Sequence, residues 1–135
     1  MSIALEAGLV GRDERALLAF YTKVMGFTLV ESLDFPVGAV RKLHRDAARL
    51  KLFFPSARVD AATPADPWFR PGGWRYCALD LTEIADVDAL TAAAAASGGT
   101  VLLAPSSHRP GGRTAMITDP EGNAWELLAE PPGKE

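Results

Sequence analysis

The order of strand, helix and turn signals in this chain runs through once and then repeats. In the first half, Ile3 to Val10 is an apolar run of strand length with Glu6 as its one charge. Gly11-Arg12-Asp13 breaks it. Asp13 is placed to cap a helix, and Ala16, Leu17, Phe20, Tyr21 and Val24 recur at three- and four-residue steps up to Gly26. Three strands are then predicted, Phe27 to Leu33, Ala39 to His44 and Arg49 to Phe54, joined by Pro36-Val37-Gly38 and by Asp46-Ala47-Ala48. The second half has the same order. Arg75 to Leu81 reads as a strand, Asp86 as the cap of a helix that runs through Ala92 to Ala96, and Gly98-Gly99 as its stop. Strands are predicted at Thr100 to Ala104, Arg113 to Thr118 and Ala124 to Ala129. Corresponding points are close to evenly offset: Asp13 to Asp86 is 73 residues, and Gly26 to Gly98 and Thr28 to Thr100 are both 72. A chance sequence rarely repeats five elements in order, so the chain reads as α+β, two tandem βαβββ modules in a single domain of 135 residues. Module one covers about residues 3–54 and module two about 75–130, with 55–74 between them.

The connecting stretch contains Pro55, Pro64, Pro67 and Pro71 and ends in Gly72-Gly73, which excludes regular structure. Trp68, Phe69 and Trp74 lie in or beside it, and rings of that size cover a core or a partner or line a ligand surface. A second local signal is Asp119-Pro120-Glu121-Gly122-Asn123. Pro120 presets φ, Gly122 can take positive φ, and the Asp119 carboxylate can hold the turn through backbone amides. The strand that follows, Ala124 to Ala129, is expected to be edge-free and half-buried.

Charge excludes some functions. Lys plus Arg total 14 and Asp plus Glu 17, a net charge of −3, with no basic block and no acidic tail, so neither nucleic acid nor an anionic membrane is an expected partner. One cysteine makes no internal disulfide, and the first six residues, Met1-Ser2-Ile3-Ala4-Leu5-Glu6, lack the charged n-region and apolar run of a signal peptide; the expected location is the cytoplasm.

Phe20-Tyr21-Thr22-Lys23-Val24-Met25-Gly26-Phe27 and Asp119-Pro120-Glu121-Gly122-Asn123-Ala124-Trp125-Glu126-Leu127 resemble the signatures of the vicinal oxygen chelate superfamily, which includes glyoxalase I, extradiol dioxygenases, methylmalonyl-CoA epimerase and bleomycin-binding proteins. The resemblance extends from about Ile3 to Ala129. It implies two βαβββ modules whose curled mixed sheets form a cup, usually in a homodimer. It also implies that a divalent cation, in the metal-dependent members, is held from four strand positions. Here those positions are Glu6, Lys51, Tyr76 and Glu126.

Strand parity selects the same residues. Leu5, Ala7 and Leu9 share one face of the first strand and leave Glu6 and Gly8 opposite; Leu50, Leu52 and Phe54 leave Arg49, Lys51 and Phe53; Cys77, Leu79 and Leu81 leave Tyr76, Ala78 and Asp80; Trp125 and Leu127 leave Ala124, Glu126 and Leu128. That second face is either the wall of a cup or plain solvent. A lysine among the four changes the chemistry, because a protonated ammonium has no lone pair and repels a cation. Tyr76 substitutes poorly for imidazole, and two carboxylates are few for a hard cation. The economical reading has no standard metal site and no cofactor, with Lys51 pairing with Glu6 and Glu126; a bound divalent metal is the alternative. His44, near the end of its strand, reads as a solvated or hydrogen-bonded imidazole, His108 as part of an exposed loop, and Cys77 as a small core residue.

Two functions fit. One is a binding protein for a small hydrophobic or aromatic metabolite or antibiotic, using Phe53, Trp68, Phe69, Trp74 and Tyr76 as apolar surface and Glu6, Lys51 and Glu126 for polar contacts. The other is a glyoxalase-like lyase, epimerase or dioxygenase, either metal-dependent or with Glu126 or Glu6 as general base and Lys51 stabilising an enolate. The aromatic residues of the linker point to a symmetric homodimer.

Overall fold

The Asp13 carboxylate accepts from the Ala16 N–H at 3.0 Å, and helix α1 (Glu14–Ala19) begins there. This computed structural model describes residues 2–62, 64 and 66–130. Helix α1 continues as a wider, π-helical turn over Phe20–Val24, in which the Met25 N–H reaches back to the Phe20 carbonyl. Leu17, Phe20, Tyr21 and Met25 are buried, and the rings of Phe20 and Phe27 both meet Tyr21 edge-on. Gly26, at φ +77°, ends the segment in a conformation that favours glycine. The apolar spacing is compatible with either helix type, so the wider turn was not legible beforehand.

Two mixed four-stranded sheets follow the βαβββ order twice. The first is built from β1 (Ala7–Val10), β2 (Thr28–Phe35), β3 (Gly38–Arg45) and β4 (Ala48–Pro55), in the order β1-β4-β3-β2. Strand β1 is parallel to β4 and the other pairings are antiparallel. The second has β5 (Tyr76–Asp80), β6 (Thr100–Ser106), β7 (Arg113–Thr118) and β8 (Ala124–Ala129), in the order β5-β8-β7-β6 with the same directions. The expected duplication is therefore present strand for strand, and β8 is indeed flanked on both sides. Two compact units carry it, Met1–Ala62 and Thr63–Glu135.

In the first unit, Leu43, Leu50, Leu52 and Phe54 are buried on the face that meets the helix. Arg41 on that face reaches across to Glu14 of α1 at 2.8 Å and to Asp34 at 3.1 Å. In the second unit, helix α2 (Ile84–Ala96) packs over β6, β7 and β8. Val87, Leu90 and Ala94 are buried on the helix, with Ala115, Ile117, Trp125 and Leu127 buried on the strands.

Three expectations are corrected. Strand β1 begins at Ala7, not Ile3, and Leu5 is 91% exposed; its partner β4 starts at Ala48, beside the turn, so little ladder remains for earlier residues. Asp86 does not cap α2. The Thr82 N–H bonds the Asp80 carboxylate at 2.9 Å and Thr82 takes φ +72°, so the chain has turned into the helix by Glu83; Asp86 sits in the first turn, at the positive end of the helix. Cys77 is exposed, because α2 covers β6 to β8 and leaves the edge strand β5 largely open. Its parity was read correctly, since it lies opposite buried Trp125.

Candidate functional site

The face of each sheet that carries no helix can be read along its rungs, and the rungs of the two units correspond. In the first unit, Glu31 of β2 pairs with Lys42 of β3, Lys42 with Lys51 of β4, and Lys51 with Gly8 of β1. Two lysines directly opposite each other would repel. Each has a carboxylate instead: Lys42 lies 4.0 Å from Glu31, and Lys51 lies 3.5 Å from Glu6, which stands just ahead of β1. The Lys51 and Glu6 side chains are 42% and 29% exposed, so this pair is partly wet. One rung along, Arg49 donates to the His44 imidazole at 3.0 Å, which makes His44 a hydrogen-bonded residue. Phe53 lies on the same face, two residues from Lys51, with its ring against Gly38.

The same rung in the second unit reads Leu103 of β6, Met116 of β7, Glu126 of β8 and Ala78 of β5. Its neighbours are apolar. Glu126 has no hydrogen-bond or ion-pair partner among the described residues, although it is half-buried. It lines a cavity of about 260 Å³ together with Trp68, Tyr76, Leu103, Met116 and His108, with Ser106 and Thr114 as further polar lining. Trp68 is half-buried and meets Tyr76 edge-on, ring centres 5.5 Å apart. Beyond that ring pair a wider, open depression of about 590 Å³ is lined by Trp68, Phe69, Trp74 and Tyr76 with Arg70 and Arg75. Trp74 is 98% exposed.

What fixes Glu126 is the turn before it. Asp119 is 1% exposed; one carboxylate oxygen accepts from the N–H groups of Glu121 (2.8 Å) and Asn123 (2.9 Å), and the other from the Asn123 side-chain amide (2.7 Å). The Asp119 N–H closes back on the Asn123 carbonyl at 2.9 Å, and Gly122 takes φ +90°. The turn works as its residue types imply, and it delivers β8 in register with β5 and β7.

Of the residues expected at the site, the structure brings Glu6 and Lys51 together in one unit and Trp68, Tyr76 and Glu126 together in the other. Phe69 and Trp74 border the open depression only. Met116, Thr114, Leu103 and Ser106 were not anticipated, although the signal existed: Thr114 and Met116 are two apart on a recognised strand, on the same face as Glu126.

The family model of the glyoxalase/bleomycin resistance protein/dioxygenase superfamily matches residues 4–127. The chain belongs to that superfamily. Comparison with curated protein sequences finds no match. Among solved structures, a glyoxylase/bleomycin resistance protein/dioxygenase domain from Frankia sp. is similar at a TM-score of 0.78 and 16% identity, over 99% of this chain and 96% of that one. A glyoxalase/bleomycin resistance protein/dioxygenase family enzyme from Burkholderia phytofirmans is similar at 0.67 and 22% identity, over 92% and 95%. A glyoxalase/bleomycin resistance protein from Albidiferax ferrireducens is similar at 0.68 and 20%, over 93% and 97%. At these identities the likeness shows the fold alone.

One of the positions that the family resemblance links to a metal holds a lysine. Lys51 brings a positive charge and no lone pair to it and is already paired with Glu6. No group of three or more His, Cys, Asp or Glu side chains that could hold a metal occurs among the described residues.

Proposed function

We propose that this superfamily member is a small-molecule-binding protein whose site does without the standard metal, and that the cavity of the second unit receives the ligand. The single observation that carries this reading is the half-buried Glu126 carboxylate, unpartnered among the described residues, beside the Trp68–Tyr76 ring pair. Ligand sites are mostly apolar with a few polar groups that fix orientation, which describes this lining. Lys51 of the first unit also favours this reading, since it puts an ammonium at a position that the family resemblance links to a metal. Trp74 and Phe69, large and exposed, are proposed to be covered by a second copy of the chain in a homodimer. No helix among the described residues is long and apolar enough to cross a membrane.

The test is metal analysis of protein purified without chelator, followed by a thermal-shift screen of small aromatic and apolar compounds. Substoichiometric metal and a saturable shift that Trp68→Leu weakens support the reading. A stoichiometric Ni²⁺, Zn²⁺, Mn²⁺ or Fe²⁺ lost on replacing Glu6 or Glu126 contradicts it. Light scattering giving the 14.4 kDa of one chain would reject the dimer. A lyase or isomerase is the second reading, favoured by the same carboxylate, since a free Glu126 suits a general base; turnover of a carbonyl substrate lost in Glu126→Gln would establish it.

A further inference from the structure

The charge and the rings of the second unit's cavity together specify what it would hold. Glu126 is the one acidic side chain in the lining, and the lining contains no lysine and no arginine. The nearby Arg70 and Arg75 border the other side of the ring pair. There the Arg70 guanidinium donates to the Asp66 carbonyl and the Arg75 Nε to the Arg70 carbonyl at 2.9 Å. Along its rung Glu126 stands between Met116 and Ala78, with Leu103 beyond, so the rung offers no countercharge, and His108 of the same lining makes no ion pair with it among the described residues. The equivalent rung of the first unit is the internal control: there every charge is met by an opposite one, Lys42 by Glu31 and Lys51 by Glu6.

A ligand entering this cavity displaces water from a carboxylate. A neutral apolar ligand gives nothing in return, and an anion adds repulsion; a cation restores the lost interaction as a charge-assisted one. Trp68 and Tyr76 add a second attraction, because their ring faces carry negative potential that draws a cation. Leu103 and Met116 suit an apolar body attached to that cation, and Ser106 and Thr114 offer hydroxyls to an ammonium's remaining N–H groups. The volume, about 260 Å³, lies just under the usual range for ligand pockets, roughly 300–1,000 Å³, and calls for a small molecule.

We infer that the cavity of the second unit is a site for a small organic cation, an ammonium carried on an aromatic or apolar body, held by Glu126 and the Trp68–Tyr76 pair. The inference rests on the binding reading above and narrows its ligand class. Three compounds of nearly equal size and shape separate the two: phenethylammonium, phenethyl alcohol and phenylacetate. Calorimetric titration of the full chain should rank them in that order, with the ammonium bound roughly tenfold or more tighter than the alcohol. Glu126→Gln should reduce the ammonium to the affinity of the alcohol while leaving the alcohol unchanged, and Trp68→Leu should weaken the ammonium more than the alcohol. Melting curves of both variants within a degree or two of wild type would show that they fold. Equal binding of ammonium and alcohol, or preference for phenylacetate, overturns the cation inference and leaves the binding reading standing. Binding of none of the three at millimolar concentration overturns both.

Discussion

The two modules share a topology, a strand register and even a turn position, and they differ in what they place on the matching rung. Module one sets Glu31, Lys42, Lys51 and Gly8 in a row and neutralises the lysines locally; module two sets Leu103, Met116, Glu126 and Ala78 in a row and leaves its one charge unmatched among the described residues. The turns that feed these rungs diverge in parallel. Asp46 and Ala47 make an exposed turn with Asp46 at φ +51°, whereas Asp119 is buried and holds its turn through three accepted hydrogen bonds. A repeated fold therefore fixes where side chains stand without fixing what they do. In this chain, the more tightly held turn belongs to the rung with the unmatched charge.

The largest expected effect lies in the turns. Asp119→Ala removes the acceptor for two backbone amides and one side-chain amide in a buried place, and should cost about 2–4 kcal/mol in urea unfolding. Asp46→Gly, at the equivalent connection, should be neutral or stabilising by up to about 1 kcal/mol, since glycine takes positive φ without strain. Equal losses in both would mean the two turns are energetically alike.

A smaller effect on stability, but a larger one on binding, is expected from giving module two the countercharge it lacks. Ala78→Lys places an ammonium in register with Glu126 on an exposed edge-strand position. Stability should stay within about 0.5 kcal/mol, while affinity for phenethylammonium should fall roughly tenfold. Unchanged affinity would show that Glu126 does not hold the cation.

Lys51→Met makes the converse change in module one. A pair this exposed contributes little, and losing it also relieves the juxtaposition with Lys42, so the urea midpoint should move by less than about 1 kcal/mol. A loss of several kcal/mol would show that Lys51 is enclosed by more than its own sheet.

The smallest effect concerns Cys77. Burial of the sulfur pushes its thiol above the ordinary cysteine range, even though the residue as a whole counts as exposed. Native protein should therefore alkylate with iodoacetamide more slowly than urea-unfolded protein near neutral pH, the thiolate being the reactive form. The native state binds this proton more tightly than the unfolded one. Its contribution to stability is thus complete below the unfolded thiol's pKa, about 8.5, and is lost as pH rises through the higher native value. Native and unfolded rates that coincide would remove the shift.

Much of this was legible in the residues. Repetition gave the βαβββ order, period-two alternation gave the faces, and the Asp119 to Asn123 stretch implied its own hydrogen bonds. The ends of elements were less legible. Asp86 looked like a cap because the Asp80–Thr82 turn that starts the helix earlier depends on backbone geometry. The exposure of Cys77 depends on which strands α2 covers, a fact of packing that alternation does not encode. The lining from β6 and β7 was missed for a simpler reason: opposing residues require a register, and register across a hairpin with a bulge between Val101 and Leu103 is not written in either strand alone.

The central claim is that module two carries the ligand site through Glu126 and its aromatic neighbours, and backbone and indole chemical shifts measured during a titration with phenethylammonium test it most directly. The account predicts saturable shifts at the Trp68 indole, Tyr76, Met116 and Glu126 with one common Kd, which weakens roughly tenfold or more in Glu126→Gln. A titration that leaves those four signals in place while shifts appear elsewhere, or one unaffected by the substitution, would contradict it.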